Sequence, residues 1–152
     1  VIWAGFDTLE GGQGEGMRQV LLLGYWSGFQ VWDVDDSNNV HDLVSRQDGP
    51  VSFMQMAPTP IVSKRPEDKF ADQRPLLVVC TDGGSKTQDG LGATYNGGTL
   101  NRHDQVNGNY LPTTVQFYSM RSRINVHVQN FRSVVYFVRC SSRIVTVSQA
   151  TQ

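Results

Sequence analysis

Val20-Leu21-Leu22-Leu23-Gly24-Tyr25-Trp26-Ser27-Gly28-Phe29-Gln30-Val31-Trp32-Asp33-Val34 reads as two short strands and a turn. The runs 20–25 and 29–34 are short, and no helical period links their apolar residues. Trp26-Ser27-Gly28 is a brief connection with the glycine that a tight hairpin favours. The same pattern continues on both sides. Residues 2–6 form a first strand candidate, followed by a Gly-rich loop over 9–16. Asp35-Asp36-Ser37-Asn38-Asn39 is a polar turn, 40–44 a strand, and Gln47-Asp48-Gly49-Pro50 another turn. Over 51–56, alternation predicts Val51, Phe53 and the stem of Gln55 on one face, with Met54 and Met56 on the other. Residues 57–74, rich in Pro and charge, read as a loop. Residues 76–80 are continuously apolar, as a strand buried on both faces requires. The long polar stretch 82–112 carries many Gly and Asn residues and reads as an ill-ordered insertion outside the sheets. Strands resume at 114–118, 125–128, 134–140 and 144–147. The chain is all-β.

A weak internal repeat narrows the architecture. Val31-Trp32-Asp33, Asn39-Val40-His41, Val51 and Phe53 are echoed by Phe117-Tyr118-Ser119, Asn125-Val126-His127, Val134 and Tyr136. Trp32 to Tyr118 and Val40 to Val126 both span 86 positions; Phe53 to Tyr136 spans 83, which predicts one turn shorter by three. The insertions 57–74 and 82–112 account for the excess over the ~40–45 residues of a WD-type propeller blade. The expected fold is a WD-repeat-like β-propeller, with about two blades present. Residues 1–49 are expected to hold part of one blade, 50–132 a second with insertions 57–74 and 82–112, and 133–152 the start of a third. Apolar residues of a blade point into the gaps between neighbouring sheets, so terminal blades leave a face uncovered until a ring closes.

At 152 residues the chain suits one domain but is short for a closed ring. The start at Val1-Ile2-Trp3, without Met or a basic leader, leads to the expectation of a fragment that lacks its natural N-terminus. A net charge of -1 argues against a broad basic face for nucleic acid. No apolar run approaches the ~20 residues of a membrane-spanning helix. Cys80 and Cys140 each lie within an apolar run and are expected as buried free thiols in a reducing, intracellular setting.

No catalytic, cofactor-binding or metal-binding residue is expected. His41 and His127 fall on equivalent repeat positions, which suits a structural role, and neither they nor His103 has Cys or His at ligand spacing. Ser27-Gly28 and Cys140-Ser141-Ser142 lack a nucleophile elbow. Asp35, Asp36 and Asp48 are turn formers. Asp82-Gly83-Gly84-Ser85 and Asn96-Gly97-Gly98 neither open a helix nor supply a Lys-Ser/Thr pair for phosphate. Trp3, Trp26 and Trp32 are read as packing residues. Arg121, Arg123, Arg132, Arg139 and Arg143 make the last third locally basic; the alternatives are a solvated set of edges and loops or an anionic partner.

The opening stretch 20–34 is similar to a segment of the plant autophagy-related PROPPIN-like propellers, the larger members that carry the domain named after breast carcinoma-amplified sequence. The likeness continues through Asp42-Leu43-Val44-Ser45-Arg46, Asp48-Gly49-Pro50-Val51-Ser52-Phe53, Asp68-Lys69-Phe70-Ala71-Asp72 and Arg74-Pro75-Leu76-Leu77-Val78-Val79-Cys80. It ends with Phe131-Arg132-Ser133-Val134-Val135-Tyr136 and Val138-Arg139-Cys140-Ser141-Ser142-Arg143. The resemblance implies a seven-bladed, non-enzymatic adaptor without a cofactor. It implies cytoplasmic location, peripheral association with pre-autophagosomal or vacuolar membranes, and other autophagy proteins as partners. It also implies binding to phosphatidylinositol 3-phosphate through a Phe-Arg-Arg-Gly motif in later blades. Phe131-Arg132-Ser133-Val134 begins like that motif but lacks its second Arg and its Gly. One guanidinium grips a phosphorylated head group less well than a pair. No lipid-binding residue is therefore expected in this chain, and the lipid site is expected beyond Gln152. A WD-repeat scaffold that binds proteins only is the alternative.

Overall fold

Apolar side chains spaced two apart organise the chain into strands that pair with their sequence neighbours. The computed structural model describes residues 1–11, 16–60, 68–82, 113–142 and 144–149. Among these, the strands are β1 (Trp3–Glu10), β2 (Met17–Gly24), β3 (Phe29–Asp33), β4 (His41–Arg46), β5 (Val51–Ala57), β6 (Leu76–Asp82), β7 (Thr113–Ser119), β8 (Asn125–Phe131), β9 (Val135–Cys140) and β10 (Val145–Gln149). They form two four-stranded sheets, β1-β2-β3-β4 and β5-β6-β7-β8, and a β9-β10 pair. Every pairing is antiparallel. The expected insertion falls on residues 83–112, outside the described residues; Asp82 itself ends β6.

The hairpin that opened the sequence reading is β2–β3, closed by Tyr25 N donating to Gly28 O at 2.8 Å. A side chain at Gly28 would meet Arg46 O at 1.9 Å, so the glycine lets the turn sit against the end of β4. Ser27 O accepts from Gly49 N and Tyr25 O from Val51 N, which ties the turn to the chain entering β5. Asp33 ends β3. Its carboxylate accepts from Asp35 N at 3.1 Å and Arg18 Nη1 at 3.3 Å, which holds the following turn.

Two expectations about β1 and β5 are corrected. β1 does not stop at Phe6: Leu9 pairs with Arg18 and Glu10 with Met17, so the supposed loop over 9–16 begins two residues later. Ladder hydrogen bonds are made by the backbone and continue through polar residues once β2 is in register. In β5, Val51 and Phe53 do not share a face. The register shifts between them, in a bulge at Ser52. The extra residue reverses the alternation, so Val51 joins Met54 and Met56 on one side while Phe53 packs on the other.

The sheets stack face to face. Val20, Leu22, Phe29, Val31 and Val44 of the first sheet meet Val51, Met54, Met56, Leu77, Val79 and Tyr118 of the second in one buried cluster. The opposite face of the second sheet, with Val78, Cys80 and Val115, meets Val135, Val138 and Cys140 of β9 in another. β6 thus has apolar neighbours on both sides, which explains its unbroken apolar run. Polar bonds cross the same gaps. Asp7 Oδ2 accepts from Met56 N at 2.8 Å, and Gln55 Oε1 accepts from Cys140 N at 3.1 Å.

The described part of the 57–74 loop is fastened to the second sheet. It includes a 3-10 turn at Ala71–Gln73, whose Gln73 O accepts from Ser119 Oγ at 2.6 Å. Arg74 pairs with Asp68 and holds its carboxyl below the usual range, through the hydrogen bond first.

The repeat survives in the strands but not at the histidines. Val31/Trp32 and Phe117/Tyr118 each flank a register shift. With β3 laid on β7 at the 86-residue spacing, Val44 falls on His127 and Asp42 on Asn125, both 83 apart. His41, paired with Asp33, corresponds to Ile124, whose O accepts from Ser119 N. His41 and His127 are therefore not equivalent. The three-residue shortening falls in the β7–β8 turn, where Arg123 takes a left-handed φ of 60°.

Candidate functional site

Among the described residues, those singled out in the sequence do not converge on a reactive centre. His41 opens β4 at the surface, with Nδ1 3.0 Å from Asn39 O. His127 stands on β8 with its ring 5.6 Å from that of Phe117. His103, Asn96, Gly97 and Gly98 lie outside the described residues, as do Gly83, Gly84 and Ser85. Asp82 Oδ1 accepts from Thr113 Oγ1 at 3.2 Å. The turn aspartates do turn work: Asp35 accepts from Gln19 N, Asp36 from Asn38 N, and Asp48 from the Arg46 guanidinium. Ser141 Oγ donates to Ile144 O within the β9–β10 turn. Among the described residues no group of three or more His, Cys, Asp and Glu could hold a metal ion. No helix there is long and apolar enough to cross a membrane.

The thiols are buried and free, in the cluster between the second sheet and β9. Burial pushes Cys80 up to about 12, with the nearby Cys140 adding to the effect. Burial likewise pushes Cys140 up to about 11. A thiol held protonated is a poor nucleophile and a poor metal ligand.

Of the described arginines, Arg121 and Arg123 are near Arg132 in sequence but not in space. Arg121 and Arg123 sit in the β7–β8 turn, and Arg132 in the β8–β9 connection. Antiparallel pairing puts these two connections at opposite ends of the sheet. Arg121 Nη1 donates to Asp72 O at 3.3 Å. Arg143 is outside the described residues. A groove of about 70 Å³, lined by Asp7, Glu10, Met17, Met56 and Pro75 among others, lies at the β1–β5 gap. Ligand pockets run to roughly 300 Å³ and more.

What the sheets do offer is surface. Trp3 is half-buried and meets Phe53 edge-on at 5.5 Å. Trp26, expected to pack, is instead 76% exposed at the tip of the β2–β3 turn. Register sets Phe6, Leu21 and Trp32 side by side across three strands, on the face of the first sheet turned away from β5. Phe6 is 74% exposed. The sequence reading missed this row because it depends on the β1–β2 register. The signal available was the alternation through Asp7, Leu9 and Arg18, where polar residues hid the strand.

Comparison with known proteins fits this surface-built molecule. A family model described as BCAS3, WD40 repeat matches residues 6–152. The chain is 46% identical to autophagy-related protein 18f and 48% identical to autophagy-related protein 18g, both from Arabidopsis thaliana. Each alignment covers 100% of this chain and 18% and 16% of the relatives, respectively. Breast carcinoma-amplified sequence 3 homolog of Drosophila melanogaster is 25% identical over 85% of the chain and 14% of its own length. The chain thus spans less than a fifth of the curated relatives it matches. No solved structure matches.

Proposed function

From the premise that the chain belongs to the BCAS3 WD40-repeat family, we propose that it is a non-enzymatic stretch of a propeller in an autophagy adaptor. The observation that carries this is 43–48% identity along the whole chain to relatives named as autophagy-related protein 18. In this reading, 1–49, 50–132 and 133–152 belong to three successive blades of a seven-bladed ring. The stacked antiparallel sheets support that division. The complete protein works in the cytoplasm, at pre-autophagosomal or vacuolar membranes. It recruits other autophagy proteins and binds phosphatidylinositol 3-phosphate through blades outside this chain. Two features favour an outside lipid site: Arg132 lacks a neighbouring second Arg, and Arg121 and Arg123 stand at the other end of the sheet.

Liposome flotation of the complete protein at low and physiological salt tests the reading. The expected result is binding selective for the 3-phosphate lipid, unchanged by Arg132→Ala. A basic residue near an anionic surface contributes only about 1 kcal/mol, and salt screens it. Loss of salt-resistant, selective binding in Arg132→Ala would place the lipid site in this segment. No selective binding by the complete protein would favour a scaffold that binds proteins only.

A further inference from the structure

The turn between β7 and β8 is fastened to the segment that leads into β6. Ser119 Oγ donates to Gln73 O at 2.6 Å and Met120 N to Pro75 O at 2.9 Å. Arg121 Nη1 donates to Asp72 O at 3.3 Å and Ser122 Oγ to Gln73 Oε1 at 2.6 Å. The last two of these bonds lie at the surface, because Arg121, Ser122 and Arg123 are all exposed. Of the described serines, Ser122 alone stands between two arginines. We propose that Ser122 is a phosphorylation site, where a serine/threonine kinase places a phosphate that Arg121 and Arg123 hold and that unfastens residues 71–73 from the β7–β8 turn.

The kinase transfers the γ-phosphoryl group of ATP. A bond forms from Ser122 Oγ to that phosphorus, the bond from the phosphorus to ADP breaks, and ADP leaves. The hydroxyl proton passes to the catalytic base of the kinase. That proton is the one Ser122 gives to Gln73 Oε1, so the modified side chain has no donor left for this acceptor. Phosphoserine instead brings a charge of about −1.5 to −2 and three strong acceptor oxygens. An ionised phosphate is a stronger acceptor than a carbonyl, so it draws Arg121 from Asp72 O. Both surface bonds of the fastening are lost together, while those from Ser119 and Met120 remain.

The turn is suited to being drawn out. Arg123 N donates to Ser119 O at 2.9 Å, and Arg123 holds a left-handed φ of 60°. A residue with a β-carbon adopts that conformation at a cost, which extension of the turn recovers. The two arginines complement an acidic substrate cleft. Ser119 is no rival acceptor: it is fully buried, and its hydroxyl both donates to Gln73 O and accepts from Ser122 N. Neither the propeller assignment nor lipid binding enters into this, so flotation and the following experiment fail independently.

The test has two readouts on the complete protein. The first is phosphopeptide mapping of protein isolated, with phosphatase inhibitors, from the cells that make it. Chymotrypsin is the suitable protease, since cuts after Tyr118 and Phe131 keep Ser122 in a peptide that trypsin would destroy. A phosphate localised to Ser122 is the expected result; recovery of this peptide only in unmodified form overturns the proposal. The second is hydrogen exchange of protein made with phosphoserine encoded at position 122. The amides of Gln73 and Arg74, bonded to Phe70 O and Ala71 O, should exchange about tenfold faster than in the unmodified protein. Ser122→Ala, which loses one surface bond and keeps Arg121 at Asp72, should give about threefold. Equal exchange in the phosphorylated and unmodified proteins overturns the unfastening, and equal exchange in phosphoserine and Ser122→Ala overturns the part given to the arginines.

Discussion

Gly28 and the two cysteines show how much depends on single atoms. The backbone of the β2–β3 turn runs so close to Arg46 that a β-carbon on Gly28 would overlap its carbonyl oxygen. Gly28→Ala should destabilise the complete protein by about 1–3 kcal/mol, the usual cost of forced overpacking. A denaturant midpoint matching wild type would show that the turn moves aside easily. The thiols give a pH signature. Their folded-state values, about 12 and about 11, lie above the ordinary 9.0. Above pH 9 the unfolded chain loses these protons while the folded chain keeps them, so the unfolded state binds fewer and stability falls as pH rises. The contribution is complete below pH 9 and is lost as pH climbs through 11 to 12. At pH 8, a thiol reagent should label both cysteines rapidly in denaturant and slowly in the native protein. Rapid native labelling of Cys80 would contradict the buried cluster.

At the level of strands, the Asp7 carboxylate joins β1 to β5 across the gap between two sheets. Asp7→Ala leaves Met56 N without that acceptor and should cost about 1–3 kcal/mol, as expected when a part-buried donor loses its partner. Asp7→Asn keeps an amide oxygen and should recover most of the loss. Equal midpoints for the two variants in urea would deny the bond its role. Local pattern made much of this level legible. The β2–β3 hairpin, the apolar run of β6 and the return of strands after residue 112 were all readable from alternation and turn residues. The polar half of β1 was not, because its pairing comes from a partner strand rather than from its own side chains. Nor was the Ser52 bulge, which leaves no mark in composition but reverses the sense of β5. The histidine match was a coincidence of spacing, visible only once Asp33–His41 and Ser119–Ile124 fixed where each fourth strand begins. The Phe6–Leu21–Trp32 row required the register.

At the scale of the molecule, the described residues cover the second sheet on both faces, and the first sheet and β9–β10 each on one. Phe6 at one end of the stack and Tyr136 and Phe137 at the other remain exposed. Residues 1–152 expressed alone should therefore aggregate or unfold non-cooperatively, since open apolar faces and strand edges promote association. A sharp, concentration-independent calorimetric transition for a monomer would refute this. The bulge at Ser52 carries a further consequence, in evolutionary terms. Adding or losing one residue between Met54 and Ala57 would send Met56 toward the β9 side and a polar neighbour into the first interface. The connection between Asp82 and Thr113 imposes no such parity, because both strand ends are anchored by β6–β7 pairing. Alignment with autophagy-related protein 18g runs over 159 residues against the chain's 152, so insertions separate these relatives. Lineages should accumulate those length differences between 83 and 112 and leave the spacing within β5 unchanged, since an odd-numbered indel in β5 would be purged by selection on folding.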